Sequence, residues 1–371
     1  MSIPIPKTKT IVMKYITIFL LHTVLICYLI SGSLYGQNKN QELFRIVFYN
    51  TENLFDTEND PDTDDDEFTP EGSKKWTAYR YNQKTDLISR ALITLNGELV
   101  WPDIIGLVEI ENRGVLNHLT NNILLRHIPY HIIQRESPDP RGIDAAFIFR
   151  ADRFTVLYYE FIPLTGNNNY PLKSRETVYV KGLADNTDTL HFFVCHWPSR
   201  IGGNSSANRR LRAGEMVKNK ADSISRVDKN AKVIIMGDFN DTPNDESITK
   251  GLRAMPLPRN RAASKKAWPE RVAGECVLYN VSSARKSPVP GTYKYKAQWD
   301  ILDQFIVSSS LITRGKGFYT TSDSYNISSE KFLLEKDNTN GGDKPFRTYQ
   351  GPIFRGGYSD HLPVRLTLYK K

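Results

Sequence analysis

A layered α/β domain with mixed β-sheets is the fold class this sequence predicts, and three observations predict it. Short apolar, β-branched runs outnumber segments with helical spacing. Some of those runs lie close together as hairpins and others are separated by helix-length stretches, which argues against an all-parallel sheet. The chain has 371 residues, 40% of them hydrophobic and 24% charged, with no internal repeat. That composition is ordinary for a globular protein and ample for a core.

The elements follow in order. Lys7, Lys9 and Lys14 precede an apolar run over 15–30, and Ser31-Gly32-Ser33-Leu34-Tyr35-Gly36 comes after it. A positive start, an apolar middle and small residues at the end are the layout of a secretory signal. The cut is expected after Gly36; an uncleaved anchor is the alternative, although the run is short for a membrane span. Residues 1–36 are therefore read as the signal and 37–371 as one domain, exported and without stable membrane insertion once the signal is removed. Residues 44–50 read as the first strand, and 56–67 as a solvated acidic loop without calcium-loop spacing. Helical spacing covers 78–98 and 113–126. Strands are expected over 103–109, 145–150 and 154–161, with 177–181 and 190–196 as a hairpin. A helix with a basic start spans 207–226. Strands over 233–237, 301–308 and 362–369 complete the list. The proline-rich stretch 250–298 reads as insertion and surface loop.

The formal net charge is +8, part of it from the lysines of the leader. The remainder is mildly basic, which favours a polyanionic partner without requiring one. Of the three cysteines, only Cys195 and Cys276 lie beyond the leader, too few for a disulfide framework. Cys195 reads as a buried thiol.

The chemistry sits at strand ends. The first strand ends in Asn50 and the second in Glu109. A third apolar run, 192–195, ends in His196. The run 233–237 ends in Asp238 and Asn240, which an extended backbone would place on one face. Ile301-Leu302 leads into Asp303, and Ser359-Asp360-His361 precedes the last strand. Strand tips are often polar for solubility, so each site alone is weak. Together they supply carboxylates, carboxamides and imidazoles, the groups that hold a hard cation and a phosphate.

With Tyr49-Asn50-Thr51-Glu52-Asn53, Gly106-Leu107-Val108-Glu109, His196-Trp197-Pro198-Ser199, Gly237-Asp238-Phe239-Asn240, the run 302–308 and Ser359-Asp360-His361-Leu362-Pro363 in this order, the chain resembles the endonuclease/exonuclease/phosphatase superfamily of metal-dependent phosphoesterases. The resemblance spans 44–370. It implies a four-layer α/β/β/α sandwich of two mixed β-sheets flanked by helices, with the site on top of the facing sheets. It implies that Glu109 is the main Mg²⁺ ligand, with Asn50 beside it and Asp360 a further metal-linked carboxylate. Asp238 would position and polarise the attacking water. Asn240 would hold that water or a phosphate oxygen. His361 would bind the scissile phosphate, its charged form favoured by Asp303. His196 resembles the second histidine of the deoxyribonuclease-like branch, and Asp144 would orient it.

An oxygen-rich donor set without clustered cysteines favours Mg²⁺ or Mn²⁺ over a thiolate zinc site. Arg141 and Arg200 stand near enough in sequence to contact substrate phosphate; for each, an ordinary surface arginine is the alternative. Tyr293, Tyr295 and Trp299 alternate with Lys294 and Lys296 as a base-stacking strip or an edge strand. The leading expectation is an exported phosphodiesterase, a nucleic-acid endonuclease of low sequence specificity acting as a monomer with no protein partner. A phosphatase or phosphodiesterase for a lipid or sugar-phosphate headgroup is the alternative, and a catalytically silent binding module on the same fold is the third.

Overall fold

Two seven-stranded mixed sheets carry the molecule, each built around a central parallel pair. The computed structural model describes residues 43–166, 169–257, 274–284, 287–312 and 317–370. The expected signal segment and residues 258–273 and 285–286 of the proline-rich stretch lie outside the described residues. In chain order the first sheet begins with β1 (Leu43–Leu54), β2 (Ile104–Ile110), β3 (Tyr130–Ile133) and β4 (Asp144–Arg150). The second contains β5 (Phe154–Ile162), β6 (Thr177–Ala184), β7 (Asp188–His196), β8 (Lys232–Asp238), β9 (Met255–Pro256) and β10 (Leu278–Asn280). A hairpin of β11 (Tyr293–Tyr295) and β12 (Gln298–Asp300) leads into β13 (Asp303–Ser308), also of the second sheet. The chain then returns to the first sheet with β14 (Phe318–Tyr319), β15 (Tyr325–Ile327) and β16 (Val364–Lys370).

The sheet orders are β14-β16-β1-β2-β4-β3, with β15 also on β16, and β9-β10-β13-β8-β7-β6-β5. The helices are α1 (Ala78–Ile93), α2 (Arg113–Thr120) and α3 (Asn204–Val227). Alternation along the strands sets the layers. Phe48, Gly106 and Phe147 form one row of the first sheet and turn towards the second, where Phe147 meets Phe192 with ring centroids 5.3 Å apart. Gly106 lets the sheets close, since a Cβ there would sit 2.8 Å from the Met236 side chain. On the outer face of the second sheet, Val233 and Ile235 bury against Ala213, Val217 and Ala221 of α3. On the first, α1 inserts Ile88 and Leu92 into the core, and Arg365 of β16 donates to the carbonyls of Ala91 and Thr94.

Three expectations need correction. The helix expected over 78–98 stops at Ile93, because Asn96 and Gly97 adopt φ of +53° and +81° and turn a small hairpin. Asn-Gly between apolar neighbours is a hairpin signal, and here it overrides helical spacing. The helix expected over 113–126 ends at Thr120, leaving Asn112 as its N-cap with the Val115 N–H donating to its side chain at 2.9 Å. The stretch 274–300 is not only surface loop: Leu278–Asn280 joins the second sheet beside β13, and the β11–β12 hairpin reaches the last strand's entry through a bridge between Tyr293 and His361. Both Cys195 and Cys276 are buried, and burial pushes the Cys195 thiol up to about 12. Among the described residues no helix is long and apolar enough to cross a membrane.

Candidate active site

Register alone brings three of the expected residues into one row. Asp238 pairs with His196 on one side and with Asp303 on the other, and neighbours in a row share a face. The first sheet contributes the facing half. Asn50 lies opposite Val108. Glu109 is displaced from both of its neighbouring ladders by a bulge and adopts φ of +60°. The Thr51 hydroxyl donates to the Val108 and Glu109 carbonyls at 3.0 Å and holds the bulge. A bulge with a left-handed non-glycine residue is strained, and such strain collects at functional sites.

The two halves meet at Asn50. Its amide donates to Glu109 Oε1 at 3.2 Å and to Asp238 Oδ2 at 3.0 Å. The Asn53 N–H donates to Glu109 Oε2 at 3.0 Å. Both imidazoles approach the same oxygen: His196 Nε2 and His361 Nε2 each stand 3.8 Å from Asp238 Oδ2. His196 Nε2 is also 3.7 Å from Glu109 Oε1. His361 Nδ1 bonds Asp303 Oδ2 at 2.7 Å, and the ring lies against Tyr293 at 4.9 Å between centroids. The entry to β16 is pinned to β1, since the Ser359 hydroxyl donates to the Asn50 carbonyl at 2.8 Å and accepts from the His361 N–H at 3.1 Å.

The electrostatics separate the two histidines. Burial works against charge on His361, but Asp303 and Asp238 outweigh it and hold its pKa well above the ordinary value. Burial, then Arg175, Arg141 and His361, drive His196 well below it. At neutral pH one ring is an imidazolium and the other is neutral. Burial raises the Asp238 carboxyl, and His361 pulls it back.

Asn240 departs from the extended arrangement expected for it. β8 ends at Asp238, Asn240 takes φ of +51°, its N–H donates to Asp238 Oδ1 at 2.9 Å and its amide to the Trp197 carbonyl at 3.1 Å. Asp144 is buried, but its oxygens accept from Gln134 and from the Ser137 N–H. His196 Nδ1 has no hydrogen-bond partner among the described residues, so the orienting role expected of Asp144 is not made by a direct bond. Asp360 pairs with Arg347 at 3.1 Å. Arg347 also reaches Glu52 at 3.3 Å, and the Lys84 ammonium donates to the Glu52 carbonyl at 2.7 Å. Arg141 is half-exposed and 3.5 Å from Asp139. Arg200 is held by Asp300 at 2.7 Å and by the Asn240 carbonyl at 2.8 Å, so its charge is largely spent within the protein. The strip of tyrosines and lysines divides: Lys294 is tied to Asp337 at 2.9 Å, Tyr293 covers His361, and Tyr295 is exposed. Sequence reasoning missed Arg175, Arg347, Lys84 and Glu52 as neighbours of the site. Glu52 lies inside a quoted motif; nothing in sequence marks the other three.

Asp238, Asp303 and His361 offer one ligand atom each, all within 4.8 Å of one another. His361 takes Asp303 Oδ2 and leaves Asp303 Oδ1 buried and without a partner among the described residues, whereas Glu109 is the more exposed carboxylate of the cluster. Glu109, Asp238 and Asp303 face a single imidazolium, a formal surplus of negative charge that one divalent cation would balance. Hard oxygen donors suit such an ion, so the residues present fit a divalent metal.

Taken together, a four-layer sandwich with a buried carboxylate–carboxamide–imidazole cluster at the strand ends has the make-up of a phosphoester hydrolase, with oxygen donors that could hold a divalent metal. The sequence matches the endonuclease/exonuclease/phosphatase family over residues 45–370, and the chain belongs to that family. No curated protein matches it by sequence. Among solved structures, it is similar to an endonuclease/exonuclease/phosphatase family protein from Bacteroides thetaiotaomicron, with 16% identity, TM-score 0.54 and coverage of 89% of this chain and 99% of that one. A mannosyl-6-phosphatase of the same organism gives 18% identity and TM-score 0.54 over 88% and 99% of the two chains. TDP2 from D. rerio, complexed with a single-strand DNA product, gives 15% and 0.51 over 88% and 99%.

Proposed function

We propose that this protein is an exported, Mg²⁺-dependent phosphodiesterase that cuts nucleic-acid backbones with low sequence specificity, Mn²⁺ serving in place of Mg²⁺. The observation that carries the reading is the pair of imidazoles, one charged and one neutral, facing the same oxygen of Asp238. Hydrolysis of a phosphodiester needs a base for water, a cation on a non-bridging oxygen and a proton source for the leaving oxygen. Asp238 would orient the water, the His361 imidazolium would hold the phosphoryl oxygen, and neutral His196 would give a hydrogen bond from Nε2 to the leaving oxygen, with water as the source of the proton it takes up. Glu109 and Asn50, with Asp360 behind them, would hold the metal, which when bound neutralises the phosphate and lowers the pKa of water. The basic balance of the chain and the half-exposed Arg141 support a polyanionic substrate. The leader supports export.

A second reading, a phosphatase of sugar-phosphate headgroups, is favoured by the similarity to the mannosyl-6-phosphatase and by the engagement of Arg200 with protein carboxylates. Purified protein assayed on plasmid, RNA, bis-p-nitrophenyl phosphate and mannose 6-phosphate, with Mg²⁺ and with chelator, separates the two. Plasmid cleavage stopped by chelator supports the nuclease. Phosphate release from the sugar with intact plasmid replaces it with the phosphatase.

A further inference from the structure

Behind His196, away from the carboxylates, lies a small pocket between the second sheet and α3. Its polar walls are His196, Arg175 and Thr177, and its apolar walls include Leu164, Ala213 and Val217. His196 Nε2 is turned to Glu109 and Asp238, neither of which lines this pocket. The other ring nitrogen, Nδ1, is buried and has no hydrogen-bond partner among the described residues. Arg175 is in the same condition at one atom. Its Nη1 donates to Asp139 at 2.8 Å and its Nη2 to the Trp197 carbonyl at 2.9 Å, while Nε is buried and unpartnered among the described residues. Trp197 Nε1, from the same lining, is likewise buried and unpartnered among the described residues, and three polar atoms left unmatched around one pocket are costly. The space open to the centre of a water molecule is about 20 Å³, against roughly 10–15 Å³ needed by one water on the same measure.

We propose that this pocket binds one ordered water, which accepts from Arg175 Nε–H and donates to His196 Nδ1, and that Arg175 thereby acts as a positioning residue fixing His196 as the Nε2–H tautomer. The ring nitrogen that a hydrogen bond saturates decides which nitrogen carries the proton. With Nδ1 accepting, the N–H points from Nε2 at the Glu109–Asp238 side, where a leaving oxygen needs a donor. An acidic partner on Nδ1 would put the proton on the wrong nitrogen of a neutral ring; the distance of Asp144 from this role fits that requirement. The part of the inference that concerns turnover rests on the hydrolase reading above, whereas the water and the tautomer do not.

Two measurements on the full chain decide it. A high-resolution crystal structure is expected to show one water within hydrogen-bond distance of His196 Nδ1 and Arg175 Nε. A dry pocket overturns the proposal, and so does an anion there, revealed by anomalous signal after bromide soaking, because an anion would require Nδ1–H. In ¹⁵N-histidine spectra, with His196→Gln assigning the resonance, a single Nε2–H tautomer is expected. Ala213→Val fills the pocket from α3 without touching either polar group, and Arg175→Lys removes Nε–H while keeping the charge. Both are expected to give a mixed tautomer signature and to lower kcat by about tenfold with KM unchanged. A single Nε2–H tautomer persisting in folded Ala213→Val, with the valine seen in the pocket, overturns the proposal. A wild-type protein that shows the water and the tautomer but hydrolyses no phosphoester instead overturns the function proposed above.

Discussion

His361 and His196 stand at equal distance from one oxygen of Asp238, yet the surroundings push their pKa values in opposite directions. His361 enters from the last strand with a carboxylate bonded to its far nitrogen. His196 ends β7 with arginines behind it and no carboxylate on Nδ1. Distance to the shared carboxylate is therefore not what separates them: burial and nearby cations lower His196, while Asp303 together with Asp238 outweighs burial at His361. One fold thus sets two imidazoles of opposite pKa shift around a single carboxylate oxygen.

The sharpest way to break this comparison is to remove its charged half. His361→Ala is expected to lower kcat/KM on bis-p-nitrophenyl phosphate by about 10²- to 10³-fold, the range seen when a preorganised transition-state contact is lost. Near-normal turnover would mean that another group carries the phosphoryl charge. Treatment with chelator should stop activity to a similar degree, with Mg²⁺ or Mn²⁺ restoring it and circular dichroism unchanged; an activity indifferent to chelator removes the metal from the scheme. His196→Gln is expected to cost about 10²-fold in kcat, most on substrates with poor leaving groups. If loss is equal across leaving groups, His196 is not the donor.

Asp303→Asn tests the cause of the charge. Asp303 and Asp238 raise the His361 pKa, and activity requiring the imidazolium persists below that pKa and falls as pH rises through it. Removing Asp303 lowers the pKa, so the alkaline limb of the rate profile should move to lower pH, with about a tenfold loss at neutral pH. An unmoved limb assigns it to another group. The smallest effect concerns a third imidazole. His191 bonds the Tyr179 hydroxyl at 2.8 Å, and burial lowers its pKa to about 4. With an unfolded value near 6.5, the unfolded chain binds the extra proton first. Stability present above about pH 6.5 should therefore fall as pH drops towards 4, by ~3 kcal/mol at most. Denaturant midpoints of His191→Gln that keep the full acid slope would place that slope elsewhere.

Strand identity was legible because buried β-strands need apolar runs, and six of those runs ended at, or began just after, residues fit for metal or phosphate. The hairpin at Asn96-Gly97 was legible too, yet helical spacing up to Leu95 masked it. Arg175, Arg347 and Lys84 were not legible: Arg175 and Arg347 lie in loops and Lys84 on a helix, and each comes beside the site only in the folded chain. Asn240 had the right type at the right spacing, but a left-handed turn gave its amide to the Trp197 carbonyl.

By itself the sequence determined which side chains stand at the strand tips, since period and composition are local properties of the chain. The tertiary structure alone decided that His361 is charged and His196 neutral. Protonation depends on what lies across a gap, and residues far apart in the chain fill that gap only after the sheets have packed.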